Sequence, residues 1–381
     1  MSIRQYNLGS IVKPGFNPLG AQTSVTTYEP YIYSWGGNTS GNLGLGNSTN
    51  YSSPKQLGAL TTWSTIAGSK EYSTFAIKND GTLWAWGQNN LYGQLGLGNL
   101  TDYSSPKQVG VLTNWSTVTG GRYHTLAIKT NGTLWSWGRN NVGQLGLGNT
   151  TGYSSPKQIG ALTTWATVAC GNNFSLATTT SGTLWALGGD NTVGQLGLNN
   201  TTATSSPVQV GALTNWLNIA CGYNFTLAAK TDGTLWSWGV NSAGQLGLGN
   251  TTIYSSPKQV GALTGWSYVA AMTTSAITIK TNGTLWTWGD NSIGNLGLGN
   301  TTYYSSPKQV GSLTTWSKAA GANYTARAIK TDGTLWVWGY NSVGQLGLGN
   351  TTNRSSPNQV GVLTTWLAVS AGRYSTFGLL Y

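Results

Sequence analysis

Gly132-Thr133-Leu134-Trp135-Ser136-Trp137-Gly138, followed after four residues by Gly143-Gln144-Leu145-Gly146-Leu147-Gly148-Asn149, is a phrase that recurs along this chain of 381 residues. Its second aromatic falls at Trp35, Trp86, Trp137, Leu187, Trp238, Trp288 and Trp338. Six steps carry Trp35 to Trp338 at about 50 residues each, a period that belongs to propellers and solenoids. Two further markers repeat in the same rhythm. Ser-Ser-Pro places prolines at 54, 106, 156, 207, 257, 307 and 357, and a lone tryptophan recurs at Trp63, Trp115, Trp165, Trp216, Trp266, Trp316 and Trp366. All three markers count seven.

Within one copy, Tyr123 to Lys129 and Thr133 to Trp137 alternate and are rich in β-forming residues. Thr130-Asn131-Gly132 separates them, and other copies carry Asp80-Gly81, Asp232-Gly233 and Asp332-Gly333. Such pairs predict a type I′ hairpin, whose two central residues both need positive φ. Two more short strands are expected around Trp115 to Thr119 and Lys107 to Val109. Four short strands per copy make a propeller blade. No stretch keeps a helical period, and the recurrent Gly and Pro would break one.

The ends of the chain argue for a ring. The first copy begins midway, at Tyr31-Ile32-Tyr33-Ser34-Trp35, without the strand that should precede it. The chain finishes with Tyr374 to Tyr381, which is that strand without its partner. An open solenoid would leave both as exposed edges. Closure pairs them, so Tyr31, Tyr33 and Trp35 are expected to meet Phe377 and Leu379 in one shared blade. The fold class is therefore all-β, a single seven-bladed β-propeller over residues 31–381, preceded by an extended arm, residues 1–30, with Pro14, Gly15, Pro18 and Gly20.

Composition narrows the function classes. Only 27 of 381 residues are charged, and the chain has a single histidine, His124. An enzyme needs acids, bases, nucleophiles or metal ligands that converge, and the material for that is scarce. At the position of His124 other copies hold Ser73, Phe174, Phe225, Ser275 and Thr325, so His124 reads as an ordinary strand residue. Asp80, Asp232 and Asp332 serve turns, while Glu29, Glu71, Asp102, Asp190 and Asp290 are scattered. The phrase Gly-Gln-Leu-Gly-Leu-Gly leads into a Thr/Ser loop and not a helix, which argues against a phosphate cradle. Cys170 and Cys221 share one repeat position with Gly68, Gly120, Ala271, Gly321 and Ala371. That slot asks for a small buried residue, so neither a disulfide nor a metal site is expected. No catalytic residue, cofactor or metal is assigned.

The formal charge is +11, yet ten of the 13 lysines recur at two fixed repeat positions, which spreads them around the ring. Nucleic acid is accordingly not the expected partner. Met1 to Val12 has no apolar core of a signal peptide, and no stretch approaches the roughly 18 apolar residues of a membrane helix. Membrane insertion is not expected.

The phrases Leu235-Trp236-Ser237-Trp238-Gly239, Gly244 to Gly249 and Val168-Ala169-Cys170-Gly171 resemble the repeat of the regulator of chromosome condensation family. The resemblance covers residues 31–381, about 92% of the chain. It implies a seven-bladed propeller, in agreement with the marker count, but no one function, since propellers are scaffolds whose binding faces vary.

Positions at which the copies disagree are the candidates for recognition, because folding constrains the rest. One such position follows the Trp-Gly pair and includes Gln88, Arg139, Asp190 and Tyr340. The other precedes Ser-Ser-Pro and includes Asp102, Tyr103, Ile253, Tyr254, Tyr303, Tyr304 and Arg354. Arg4, Tyr6 and Phe16 are the candidate docking residues of the arm. The expectation is a non-catalytic structural or binding protein. Near-identical copies, sparse charge and the missing signal peptide suit a virion component, such as a bacteriophage tail, fibre or capsid-decoration protein, assembled in the cytoplasm. Its partners would be other virion or assembly subunits and a host surface glycan or receptor. The alternative, implied by the resemblance, is a cytoplasmic or nuclear regulator, a small-GTPase exchange factor or chromatin binder. A propeller that binds another protein or a glycan uses the same surfaces.

Overall fold

The computed structural model describes residues 30–59 and 62–381, which form seven four-stranded antiparallel sheets and no helix. The blade that carries the quoted phrase runs Trp115–Gly120, His124–Lys129, Leu134–Gly138 and Tyr153–Gln158, each strand beside the next. The second and third strands lie where the alternation put them. The outermost strand begins earlier than expected, at Tyr153 in this blade and Tyr103 in the one before, because its first residue already pairs with the glycine after the tryptophan, Tyr153 with Gly138. A bulge then shifts the register between Tyr153 and Lys157.

The hairpin turn differs from the expected type I′. Gly132 has φ of 75°, but among the described residues only Asn199 and Asn323 take positive φ without being glycine, so Asn131 does not. Gly132 N donates to Lys129 O at 2.9 Å and Lys129 N to Thr133 O at 3.0 Å, a longer turn in which glycine alone is left-handed. Asn131 supplies a side-chain acceptor instead: its Oδ1 takes Thr133 Oγ1 at 2.7 Å, and that hydroxyl accepts Trp135 Nε1 at 3.0 Å. Asp80, Asp232 and Asp332 do the same in their copies.

Ring closure is as expected. Tyr31–Gly36 pairs with Ser375–Leu380 in register: Tyr31 with Leu380, Ile32 with Leu379, Tyr33 with Gly378, Ser34 with Phe377 and Trp35 with Thr376. One sheet is thus built from both ends of the described chain.

The core lies between blades, in seven apolar clusters that each join neighbouring copies. Trp137, fully buried, sends its Nε1–H back to Gln94 O at 2.9 Å, and Trp86, Trp238, Trp288 and Trp338 repeat this tie. Trp115 meets Trp137 edge-on at 6.1 Å, a favourable aromatic geometry. The repeated tryptophans are therefore packing residues. The glycine phrase belongs to the same joint: a Cβ on Gly96 would lie 2.7 Å from Trp137 Nε1, so the loop of one blade lies under the indole of the next. Asn140 holds the phrase in shape, its Oδ1 accepting from Leu145 N and its Nδ2 donating to Asn149 O and Thr151 O.

Candidate functional site: the channel mouth

The innermost strand ends in the small-residue slot in six blades and one residue beyond it, at Ala322, in the other, and Gly68, Gly120, Cys170, Cys221, Ala271, Gly321 and Ala371 line a central channel. Crowding sets their size; a Cβ on Gly68 would stand 2.7 Å from the Ala371 carbonyl oxygen. Both cysteines are free and buried. Burial pushes the thiol of Cys221 up to about 12 and that of Cys170 up as well, so both stay protonated at neutral pH. Among the described residues no group of three or more His, Cys, Asp or Glu could hold a metal. No helix there is long and apolar enough to cross a membrane. His124 is buried, its Nε2 2.9 Å from Ser175 Oγ, and burial pulls its pKa down to about 3. It is neutral packing, as its place among serines and phenylalanines implies.

At one end of the channel, the loops between first and second strands form its mouth. A chain of backbone hydrogen bonds runs around it from blade to blade: Lys70 N to Gly121 O, Arg122 N to Asn172 O, Asn172 N to Tyr223 O, Tyr223 N to Thr273 O and Thr273 N to Asn323 O, at 3.0 to 3.2 Å. Arg373 N adds a longer link to Glu71 O at 3.4 Å. These bonds satisfy the loop amides and fix the side chains that the loops carry.

Four charged side chains, Lys70, Glu71, Arg122 and Arg373, meet at this mouth. Glu71 is buried and accepts from Arg122 Nε at 2.8 Å and Arg373 Nη1 at 2.6 Å. Burial alone would lower both arginines, but tyrosine and Glu71 partners outweigh it for Arg122, and Glu71 foremost for Arg373, so both are raised. Tyrosines flank the ion pairs. Arg373 lies 5.1 Å over the Tyr374 ring and 5.6 Å over Tyr72, while Arg122 lies 5.1 Å over Tyr123. Lys70 reaches across the mouth, and its Nζ donates to Cys221 O at 2.6 Å.

Four of the sequence candidates join this face, one step outward. Sheet register forces it, since His124 pairs with Gly138 and the next residue, Arg139, therefore sits beside the mouth loop. Arg139 N donates to Tyr123 O, Gln88 N to Tyr72 O, Asp190 N to Asn173 O and Tyr340 N to Tyr324 O. Arg139 then stacks at 5.2 Å over Tyr92, and Tyr340 lies 6.3 Å from Tyr374. The second set is placed elsewhere. Asp102 is occupied locally, its Oδ1 accepting from Asn89 N and Asn90 N. Tyr103, Tyr254, Tyr304 and Arg354 open the outermost strands, and Lys107, Lys258 and Lys308 lie over the three tyrosine rings. Ile253 and Tyr303 are exposed beside them. The rim residues are thus distributed around the ring and do not converge. Arg4, Tyr6 and Phe16 lie outside the described residues.

Sequence reasoning missed Lys70, Glu71, Arg122, Tyr223 and Arg373. A signal existed: the residues before the second strand also differ between copies, from Lys70-Glu71-Tyr72 to Arg122-Tyr123, Asn172-Asn173 and Arg373-Tyr374.

Fold and site define a class: a closed repeat propeller with a polar, aromatic mouth. The model of the regulator of chromosome condensation (RCC1) repeat matches residues 31–76, 80–128, 131–178, 181–229, 232–273, 282–328 and 332–379. The chain belongs to that family. It is 30% identical over 229 residues to the ultraviolet-B receptor UVR8 of Arabidopsis thaliana, a match that covers 57% of this chain and 39% of the receptor. The chain thus spans well under half of that relative. Human WBSCR16 superposes with a TM-score of 0.82 at 23% identity, covering 92% of this chain and 98% of the other. Prp20p of Saccharomyces cerevisiae, whose structure is described with its binding to Gsp1p and histones, gives 0.80 at 20%, covering 93% and 92%. At these identities the two structures speak for the fold.

Proposed function

We propose that this chain is a non-catalytic propeller that binds a protein partner across its channel mouth, as a regulator or adaptor. The observation that carries this reading is the convergence of Lys70, Glu71, Arg122 and Arg373 with Tyr72, Tyr123, Tyr223 and Tyr374 on one face of an otherwise charge-poor ring. Arginine and tyrosine are the side chains that anchor protein interfaces. Here ion pairs and stacking hold them in place before any partner arrives, which lowers the cost of ordering them on binding.

The relatives support the regulatory alternative over the virion reading, since Prp20p is described with protein partners and UVR8 is a receptor. Residence in a particle, with docking by the arm, stands as a separate proposal that detection of the chain in purified particles would test.

A photo-cross-linking amino acid placed at Tyr223 should capture a protein partner in native extract, and the same probe at Leu213, at the opposite end of the strands, should not. Capture at Leu213 alone would overturn the assignment of the face. Stimulated nucleotide release from a small GTPase would identify the partner class implied by the family resemblance.

A further inference from the structure

Lys70, Arg122 and Arg373 converge on a cavity of about 270 Å3 at the mouth, and Glu71 is the one carboxylate among its lining residues. Both oxygens of Glu71 are taken, Oε1 by Arg122 and Oε2 by Arg373. Among the described residues the Lys70 ammonium has the Cys221 carbonyl at 2.6 Å as its one hydrogen-bond acceptor, and the Cys221 thiol brings no negative charge. Burial lowers the pKa of Lys70, as expected for a cation whose lost hydration is not replaced by a counter-charge. Asp290, on the neighbouring side of this face, is occupied by Thr274 Oγ1 and Ser292 N. Among the described residues that line the cavity, Lys70, Arg122 and Arg373 thus face Glu71 alone, and Asp190, a further carboxylate of this face, accepts from Thr192 N.

We propose that the mouth takes a carboxylate side chain from an acidic peptide segment. This rests on the reading that the mouth is the protein-binding face and names the chemistry of the partner. The carboxylate would replace Cys221 O as the acceptor of Lys70 and meet the guanidinium N–H groups of Arg122 and Arg373 that Glu71 leaves free. Charge-assisted hydrogen bonds of this kind are roughly twice as strong as neutral ones. The cavity is smaller than the roughly 300–1,000 Å3 of a site that encloses a whole organic ligand, and suits one side chain entering from a chain that passes over the face. Tyr72, Tyr374 and Tyr340 flank that path and offer stacking surface on either side of the entry.

Calorimetry on the full chain would use a capped octapeptide of alternating Glu and Gly, its Gln counterpart and inorganic phosphate. The Glu peptide should bind and weaken with salt, the Gln peptide should not bind, and Lys70→Met should weaken binding at least tenfold while Lys70→Arg retains it. Arg122→Gln carries the same expectation as Lys70→Met if the latter fails to fold. Equal affinity for the Glu and Gln peptides, unchanged affinity in both charge-removing variants, or phosphate binding as tightly as the peptide would each overturn the acidic-peptide assignment. If peptides fail while cross-links still form at Tyr223, the mouth remains the partner face and only the chemistry of the partner falls. If cross-links are lost while the Glu peptide binds, the reverse holds.

Discussion

Arg327 lies fully buried beside the closing strand, its Nε donating to Thr376 Oγ1 at 2.6 Å and its Nη2 to Ser375 O at 3.0 Å. The equivalent strand position holds Phe75, Leu126, Leu176, Leu227, Ile277 and Phe377 in the other copies. One cation thus replaces an apolar residue at the joint between the sixth complete blade and the blade made from both ends of the chain. No carboxylate is among its hydrogen-bond partners, and burial pulls its pKa down to about 9.

Replacing that cation should not weaken the ring. In Arg327→Leu, Thr376 Oγ1 keeps its bond to Gln345 O, Ser375 O keeps Gly372 N, and Thr325, which loses a 3.4 Å contact to its carbonyl, keeps its strand pairing with Ala322 and Gly339. Removing a buried charge in favour of an apolar residue is often neutral or stabilising by about 1–4 kcal/mol. Chemical denaturation at pH 7 should place the variant at or above the parent. Because the folded pKa lies below the unfolded value, the unfolded chain binds more protons between the two, and the parent gains stability as pH rises past about 9. The advantage of the variant should shrink over that range. A loss of more than about 1 kcal/mol would show that the hydrogen bonds to the closing strand outweigh the buried charge.

His124 is the group whose protonation should set the acid sensitivity above the carboxylate range. Its pKa falls from 6.5 to about 3 on burial, so below pH 6.5 the unfolded chain takes up a proton that the folded chain refuses. Stability should therefore fall as pH drops from 6.5 towards 3, by roughly 1.4 kcal/mol per unit. His124→Ser, which installs the residue found at Ser73 and Ser275, should flatten that slope, since the chain has no other histidine. Denaturant midpoints at about pH 7, 5.5 and 4.5 measure it; an equal slope in both proteins would assign the sensitivity to carboxylates.

Gly96 should tolerate nothing larger. Its φ is +78°, and an added Cβ would sit 2.7 Å from Trp137 Nε1. Gly96→Ala would combine a left-handed alanine, costing about 1–2 kcal/mol, with overpacking of about 1–3 kcal/mol. Thermal unfolding should show a clear drop in Tm. The same change at Gly110, which also has positive φ but nothing within 4 Å of the added carbon, should cost only the backbone share.

The fold was legible because the packing constraints recur in every copy: a buried indole, replaced once by Leu187, the glycine beneath it, and a small residue at the channel. Ring closure was legible from two half-units that complete each other. Hairpin geometry was not, because Asn131-Gly132 fits two turns, and the choice rests on Asn131 bonding Thr133. The mouth was hidden for another reason. Glu71 meets Arg373 across 302 residues of sequence, and each mouth loop by itself looks like drift between copies. Only the ring, by bringing Lys70, Arg122 and Arg373 to one opening, turns scattered differences into one site.

Closure itself can be tested by removing residues 377–381. That deletion takes away the partners of Tyr31, Ile32, Tyr33 and Ser34, and with them the fully buried Phe377 and the nearly buried Leu379. Tyr31–Gly36 would then present one unpaired edge and Trp366–Ala371 another, in a sheet that is continuous in the intact chain. Two open edges invite pairing between molecules. The shortened chain should lose thermal stability and shift to higher oligomers in light scattering, whereas a chain lacking residues 1–29 should keep the ring. Trp35 reports the difference locally, being wholly buried beside Trp366 at 5.8 Å in the intact blade. A monomeric deletion product with the Tm of the parent would mean that the seventh blade holds without its last strand, and that contacts between blades, not strand pairing, close the ring.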